Sequence, residues 1–313
     1  LSTSTCSAAE RRLSPAPLEL EVVPPSPFRL PTHGGGDFVM TVRAGVASRL
    51  LLVERCPVLV RAWEPARGRL TVRAEGIDPA AVELPPPALA QLRPAGPGQL
   101  AEAAARMRFA LGVDDDLGEF YRRFSRDPLL GPAIRGRPWL RPRRRPWPWE
   151  ALAWAVVEQL IESGRAARIQ RRIVGRWGAR LGPRRAQLRD MPSAELIAGR
   201  APAELEAAGL SPKRSIALAG VARQISAGRI APGEPQSDRR LLAVPEIGPW
   251  TVQCLGLLGR GEPDSLPAGD LIYLKLVGRL ARLGRRASVE EVEEFYAPYA
   301  PFRGLAGAWS SRL

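Results

Sequence analysis

The chain has 313 residues, 45% hydrophobic and 25% charged, enough for two globular domains, and it contains no run of about 18 apolar residues that could span a membrane. Cys6, Cys56 and Cys254 show no metal-ligand spacing and His33 is the sole histidine, so a zinc centre, an iron–sulfur cluster, a disulfide framework and histidine acid–base chemistry all lack their residues. A formal charge of +14 and a pI near 11.1 point to a polyanion, nucleic acid ahead of a merely solvated basic surface, although Ala, Gly and Pro abundance makes compositional bias part of the arginine excess.

Residues 1–16 are polar, lack an apolar signal core and are expected to be a disordered tail of a reducing, cytoplasmic protein. Leu18 to Val23 begins with alternation and runs into a proline-rich break. Phe38–Val42, Leu50–Val53, Val58–Trp63 and Leu70–Ala74 are short runs rich in β-branched and aromatic residues, separated by Gly and Pro. They predict a small antiparallel sheet, with a helix among Leu89–Leu92 or just after. Pro85, Pro86, Pro87, Pro94 and Pro97 place a boundary near residue 100, giving an α+β domain over 17–100 and a helical domain over 101–313.

Leu100 to Leu111 reads as an Ala-rich helix closed by Gly112. Asp114–Asp116 offers a cap for a helix through Phe124, with Phe120, Tyr121 and Phe124 inward. A loop dense in Arg, Pro and Trp follows from Gly131 to Trp149. Its Arg141, Arg143, Arg144 and Arg145 suit either phosphates or a capping role on the core. Glu150 to Ser163 predicts a helix whose ALAWAVV half is apolar all round and buried. It emerges with Glu158, Gln159, Leu160 and Ile161, where side chains either reach a groove or simply end a helix. Ala166–Trp177, Ala194–Ala198, Pro202–Ala208 and Lys213–Ser226 add helices on short links, for an all-α domain of about eight to ten helices.

Leu241 to Lys275 reads as helix, tight hairpin, helix and a Gly/Pro loop that delivers Asp270 to another helix. Pro245 stops the first helix, Gly248 frees the backbone to turn, and Pro249 suits the first position of the next. Free amides at such a helix start can seat a phosphate. Taken alone, the hairpin is equally consistent with an ordinary helical turn.

Four segments, LGVDDDLGEFYRRFSRDPLL, WEALAWAVVEQLI, AAGLSPKRSIALAGVARQI and LLAVPEIGPWTVQC…LPAGDLIYLK, cover about residues 111–280 in an order that resembles the helix-hairpin-helix DNA glycosylase superfamily. Within it the chain looks most like the bacterial 3-methyladenine DNA glycosylase II group. The resemblance implies a mainly α fold, an all-α glycosylase domain preceded by a small α+β domain with an antiparallel sheet. It implies a monomer that acts on double-stranded DNA in the nucleoid, flips a damaged base into a pocket and hydrolyses its N-glycosidic bond. By position Asp270 matches the catalytic aspartate, and Leu160, after Gln159, the wedge that fills the vacated stack. Ile247, Gly248, Trp250 and Thr251 match the hairpin that holds the phosphate, whose carbonyls can ligate a monovalent cation. No other cofactor or metal is implied. Asp270 also suits a plain N-cap role, and the two are compatible.

Superfamily members that cleave the strand place a Schiff-base Lys two residues beyond the hairpin's last glycine; here that residue is Trp250, which implies a monofunctional hydrolase. Trp250 suits either stacking on a cationic base in the pocket or core packing. The chain departs from the family at Glu246, where glycine is usual, at the Glu158–Gln159 pair, at Cys254, which replaces an aromatic, and at Trp309, offset by about two residues from the pocket Trp. Glu246 leaves a non-catalytic DNA-binding protein on this fold as the rival reading, and a glycosylase for another damaged base as a third.

Overall fold

The computed structural model describes residues 15–85, 91–183 and 187–312, so the tail's residues 1–14 and the prolines Pro86 and Pro87 lie outside it. Strands Leu18–Val22 (β1), Met40–Arg43 (β2), Val46–Val53 (β3), Cys56–Ala66 (β4) and Arg69–Gly76 (β5) form one antiparallel sheet in the order β1-β5-β4-β3-β2. The β3–β4 hairpin turns on Glu54 and Arg55, both left-handed at φ 49° and 69°, which matches the twist of its strands. The period of two then sorts β3. Ala47, Leu51 and Val53 pack with Leu100, Ala103, Ala104 and Met107 of helix Pro97–Leu111 (α1), while Leu50 and Leu52 face the other way. α1 is the helix expected over Leu100–Leu111, and the core it shares with the sheet runs on to Val113; of the helix expected among Leu89–Leu92 or just after, residues 91–96 are irregular and 86–90 lie outside the described residues.

The opposite face of the sheet packs on strand residues that sequence reading did not foresee. Val82–Glu83 (β6), Arg180–Leu181 (β7) and Leu188–Arg189 (β8) make a second, three-stranded sheet, and two of its strands come from the helical half. Two-residue strands leave no periodic trace in a sequence.

Beyond α1 the helices are Gly118–Phe124 (α2), Leu130–Gly136 (α3), Pro148–Glu158 (α4), Ser163–Trp177 (α5), Ala194–Ala198 (α6), Pro202–Glu206 (α7), Pro212–Ser226 (α8), Asp238–Leu242 (α9), Pro249–Leu255 (α10), Leu271–Leu280 (α11), Val289–Tyr296 (α12) and Arg303–Ser310 (α13). The expected eight to ten become thirteen among the described residues: α6, α7 and α9 fall where helices were expected, whereas α3, inside the expected loop, and α12 were not foreseen. Two expectations shift. The loop expected over Gly131–Trp149 opens with α3, and the helix expected to reach Ser163 ends at Glu158, where Gln159 turns extended (ψ 123°).

The helical half has two cores. One gathers α4, α5, α8 and α10 around Trp154, Ile173, Leu218 and Leu255; the other gathers α2, α3, α11, α12 and α13 around Phe120, Tyr273, Tyr296 and Trp309. A buried ionic network ties the first to the sheet. Arg49 of β3 meets Glu150 of α4, Arg145 Nη1 meets Asp37 Oδ2 at 2.5 Å, and the Trp154 indole N–H donates to the same oxygen at 3.0 Å. Burial would raise Asp37, but Arg145 and Arg49 outweigh it and hold the carboxyl below its ordinary range. Removing one member of such a network typically costs about 3–5 kcal/mol, since its partner is left charged and unpaired.

Candidate DNA-glycosylase site

The seam between the two helical cores brings the expected residues together. From one side come the end of α4 and the α9–α10 hairpin; from the other comes Asp270 at the head of α11. The connecting loop is held at both ends. Ser265 Oγ donates to the Gln253 carbonyl at 3.0 Å, and Asp264 takes the Arg303 guanidinium at 2.5 and 2.9 Å and the Arg303 amide at 3.0 Å. The Asp270 amide then donates to the Pro267 carbonyl at 2.8 Å, closing the turn that presents the carboxyl.

Asp270 Oδ1 accepts the Ile272 amide at 2.9 Å, the N-cap bond read from sequence. Its other oxygen, Oδ2, accepts the Trp250 indole N–H at 3.4 Å. Nothing in the sequence around Trp250 signals that contact, which adds a hydrogen-bonding role to the stacking and core-packing ones. The ring is half-buried, and its N–H edge is turned to the carboxylate. The field of Asp270 also reaches the buried Cys254 and Tyr273. Burial foremost, then Glu158 and Asp270, pushes the Cys254 thiol well above its ordinary value, so it is no nucleophile at neutral pH. Burial, then the neighbouring Tyr296 and Asp270, pushes the Tyr273 hydroxyl up likewise. Glu158, the last residue of α4, accepts the Gln170 side-chain amide at 2.8 Å, and burial raises it against the pull of Arg145.

Leu160 stands at the tip of the chain between α4 and α5, wholly exposed (104%) and left-handed at φ 55°. A leucine in that conformation costs roughly 1–2 kcal/mol. Gln159 fixes its base: the side-chain amide donates to the Glu246 carbonyl at 2.8 Å and to the Thr251 hydroxyl at 2.9 Å. The Leu160 tip and the hairpin are thus one unit.

Within the hairpin, Ile247 and Thr251 are buried, at 4% and 1% exposed, and their amides donate to the Val244 and Gly248 carbonyls. Neither offers a free donor at the surface. Among the described residues the Gly248 and Trp250 amides have no backbone acceptor, and they are the donors left at the start of α10. Gly248 itself is extended at φ −103°; the left-handed residue of the turn is Glu246, at φ 66°. The sharp turn therefore falls on Glu246 and not on Gly248, over which a side chain would meet nothing within 4 Å. The Glu246 carboxylate reaches Lys213 Nζ of α8 at 3.5 Å. In the hairpin the Val244 carbonyl accepts the Ile247 amide and the Glu246 carbonyl accepts the Gln159 side-chain amide. Among the described residues no group of three His, Cys, Asp or Glu could hold a metal ion.

Three of the four arginines in the 139–145 stretch cap the core. Arg141 meets backbone carbonyls including Pro27 at 3.1 Å, Arg144 grips Asp115 at 2.7 and 2.9 Å, and Arg145 pairs with Asp37. Arg143 stays exposed, 2.8 Å from His33. Trp309 is fully buried against Phe120 and Tyr121, with an unpartnered indole N–H, and belongs to the core. A cavity of about 870 Å³ lies away from Asp270 between the sheet and the helical half, near Trp147, Trp149 and Trp177.

No family model matches the chain. It is 26% identical over 180 residues to the DNA-3-methyladenine glycosylase of Bacillus subtilis, covering 56% of this chain and 59% of that protein. It is 30% identical over 174 residues to a probable bifunctional transcriptional activator/DNA repair enzyme of Mycobacterium tuberculosis, covering 55% of this chain and 35% of that one. The matches thus span roughly a third to three-fifths of those relatives. The solved structure of a 3-methyladenine DNA glycosylase from Archaeoglobus fulgidus superposes with a TM-score of 0.71 at 21% identity, covering 88% of this chain and 90% of that one. The chain thus shares the fold of the helix-hairpin-helix DNA glycosylases. Within that class its sequence is similar to the 3-methyladenine glycosylases.

Proposed function

We propose that this protein is a monofunctional glycosylase that releases alkylated purines, 3-methyladenine and 7-methylguanine, from double-stranded DNA. The observation that carries the reading is the Asp270 carboxylate, held in the seam by the Ile272 amide and the Trp250 indole of the same hairpin that Gln159 ties to the exposed Leu160. In this mechanism the duplex backbone rests on the Gly248 and Trp250 amides while Leu160 enters the stack left by the flipped nucleotide. Asp270 stabilises positive charge on the sugar as the C1′–N bond breaks and its electron pair leaves with the base. Water then attacks C1′ and its proton passes to the carboxylate or to solvent. Alkylated purines are already cationic, so they leave without an acid. No amine stands where a Schiff base would form, because that place is taken by Trp250.

The test is wild-type protein on methylated duplex, with free bases identified by mass. Release of methylated purines, with strand breaks appearing only after alkali, is the expected result; breaks without alkali would overturn the hydrolytic mechanism. Glu246 favours one rival, a DNA-binding protein without turnover, which predicts salt-sensitive duplex binding and no base release.

Leu160 provides a second check. Leu160→Ala should slow release from fully paired duplex by up to about 60-fold, at ~0.8 kcal/mol for each of the three carbons removed from the stack. Melting should be unchanged, since the side chain touches nothing in the free protein. The deficit should shrink on an unpaired lesion, and an equal deficit on both substrates would argue against a wedge.

A further inference from the structure

The exposed face of α11 leads away from Asp270 and turns basic. Ile272, Lys275 and Arg279 are exposed and spaced three and four residues apart, so they line one side of the helix, and Arg282 continues the spacing into the next turn. There the chain folds back tightly. Leu283 N–H donates to the Gly278 carbonyl at 3.0 Å and Ala287 N–H to the Leu274 carbonyl at 2.9 Å. A side chain at Gly278 would come within 2.3 Å of the Arg285 carbonyl. The result is a preformed shallow concavity of about 380 Å³ lined by Lys275, Arg279, Arg282, Arg285 and Arg286 with two glycines. Among the described residues only Arg285 has a carboxylate partner, Glu291 at 2.7 Å. Basic side chains do suit a helix C-terminus, but the dipole there is worth about half a charge and does not account for four unpaired cations in one hollow.

We propose that this face binds the phosphate backbone of the duplex whose target base lies at Asp270, extending the grip beyond the hairpin. At ~1.5 Å per residue, Lys275 and Arg279 lie about 8 and 14 Å along the axis from Asp270, and Arg282 stands in the turn just past the helix end. A strand advancing ~3.4 Å per nucleotide covers that reach within about five base pairs. The inference rests on the DNA-binding part of the proposed function and not on turnover.

The test is binding of undamaged duplex to full-length protein carrying Arg279→Ser, Arg282→Ser and Arg286→Ser together, with Arg285 left to its Glu291 pair. The slope of log K against log salt should fall by about two to three units, at ~0.9 per phosphate contact, and affinity at low salt at least about tenfold. The matching triple Lys variant should keep the wild-type slope, and single-turnover base release at saturating enzyme should not change. A folded triple Ser variant with wild-type slope and affinity overturns the proposal, as it would if the hollow served an acidic protein. The two readings fail separately: wild type that releases no base leaves a reduced slope meaningful, and normal release with an unchanged slope removes only this one.

Discussion

Asp270→Asn should lower single-turnover base release by about 10²–10³-fold, or ~3–4 kcal/mol of transition-state stabilisation, while leaving duplex affinity and melting close to wild type. Asparagine caps a helix nearly as well as aspartate, so the bond to the Ile272 amide survives and only the charge is lost. Asp270→Ala removes both and should add roughly 1 kcal/mol of destabilisation. The pair of variants separates the cap from the chemistry. If Asn and Ala were equally active and differed only in melting, Asp270 would be a cap and nothing more. A carboxylate that matters through its field should also matter less for a base that leaves easily. The deficit with Asn should therefore be smaller for 7-methylguanine, a good cationic leaving group, than for any neutral base the protein accepts.

Much of this arrangement was legible before the structure, for identifiable reasons. The strands of the sheet alternate, α4 is apolar all round, and the PAGD run ahead of LIYLK marks both a turn and a cap. These are local signals, and each element sits within a few residues of its expected place. What was not legible is long-range. Nothing near Trp250 in sequence says that its indole N–H meets Asp270, twenty residues on, or that Gln159 reaches across 87 residues to the Glu246 carbonyl. The arginines around residue 141 looked like one group, yet Asp115 and Asp37 claim two of them as core ties and leave Arg143 outside. β7 and β8 are two residues each and exist only because the first sheet offers Leu50 and Leu52 for Ala179, Leu181 and Leu188 to cover. Gly248 suits a sharp turn by residue type, but the left-handed residue of the hairpin is Glu246, two positions earlier, where the family usually has glycine.

That glutamate is the second place where a large effect is expected. Glu246→Gly should raise affinity for duplex DNA by up to about fivefold at low ionic strength, with the gain fading as salt rises through ~0.1 M. Two costs sit on this residue. Its φ of 66° carries roughly 1–2 kcal/mol of left-handed strain, which glycine lacks, although glycine returns ~0.5–1 kcal/mol of that to the flexible unfolded chain. Melting should therefore stay level or rise slightly. Its carboxylate also stands two and four residues from the Gly248 and Trp250 amides, where a phosphate would repel it by about 1 kcal/mol across ~4 Å of water. Lys213, 3.5 Å from that carboxylate, cancels part of the repulsion. Glu246→Gln resolves the two costs, since it removes the charge and keeps the strain: it should recover most of the affinity and none of the melting. A double-mutant cycle with Lys213→Met then assigns the lysine. If Lys213 serves to neutralise Glu246, its loss should weaken DNA binding more in the wild-type background than in Glu246→Gly. Equal losses in both backgrounds would mean that Lys213 meets the phosphate directly, and that the glutamate is tolerated because the lysine's charge is larger than the pair requires.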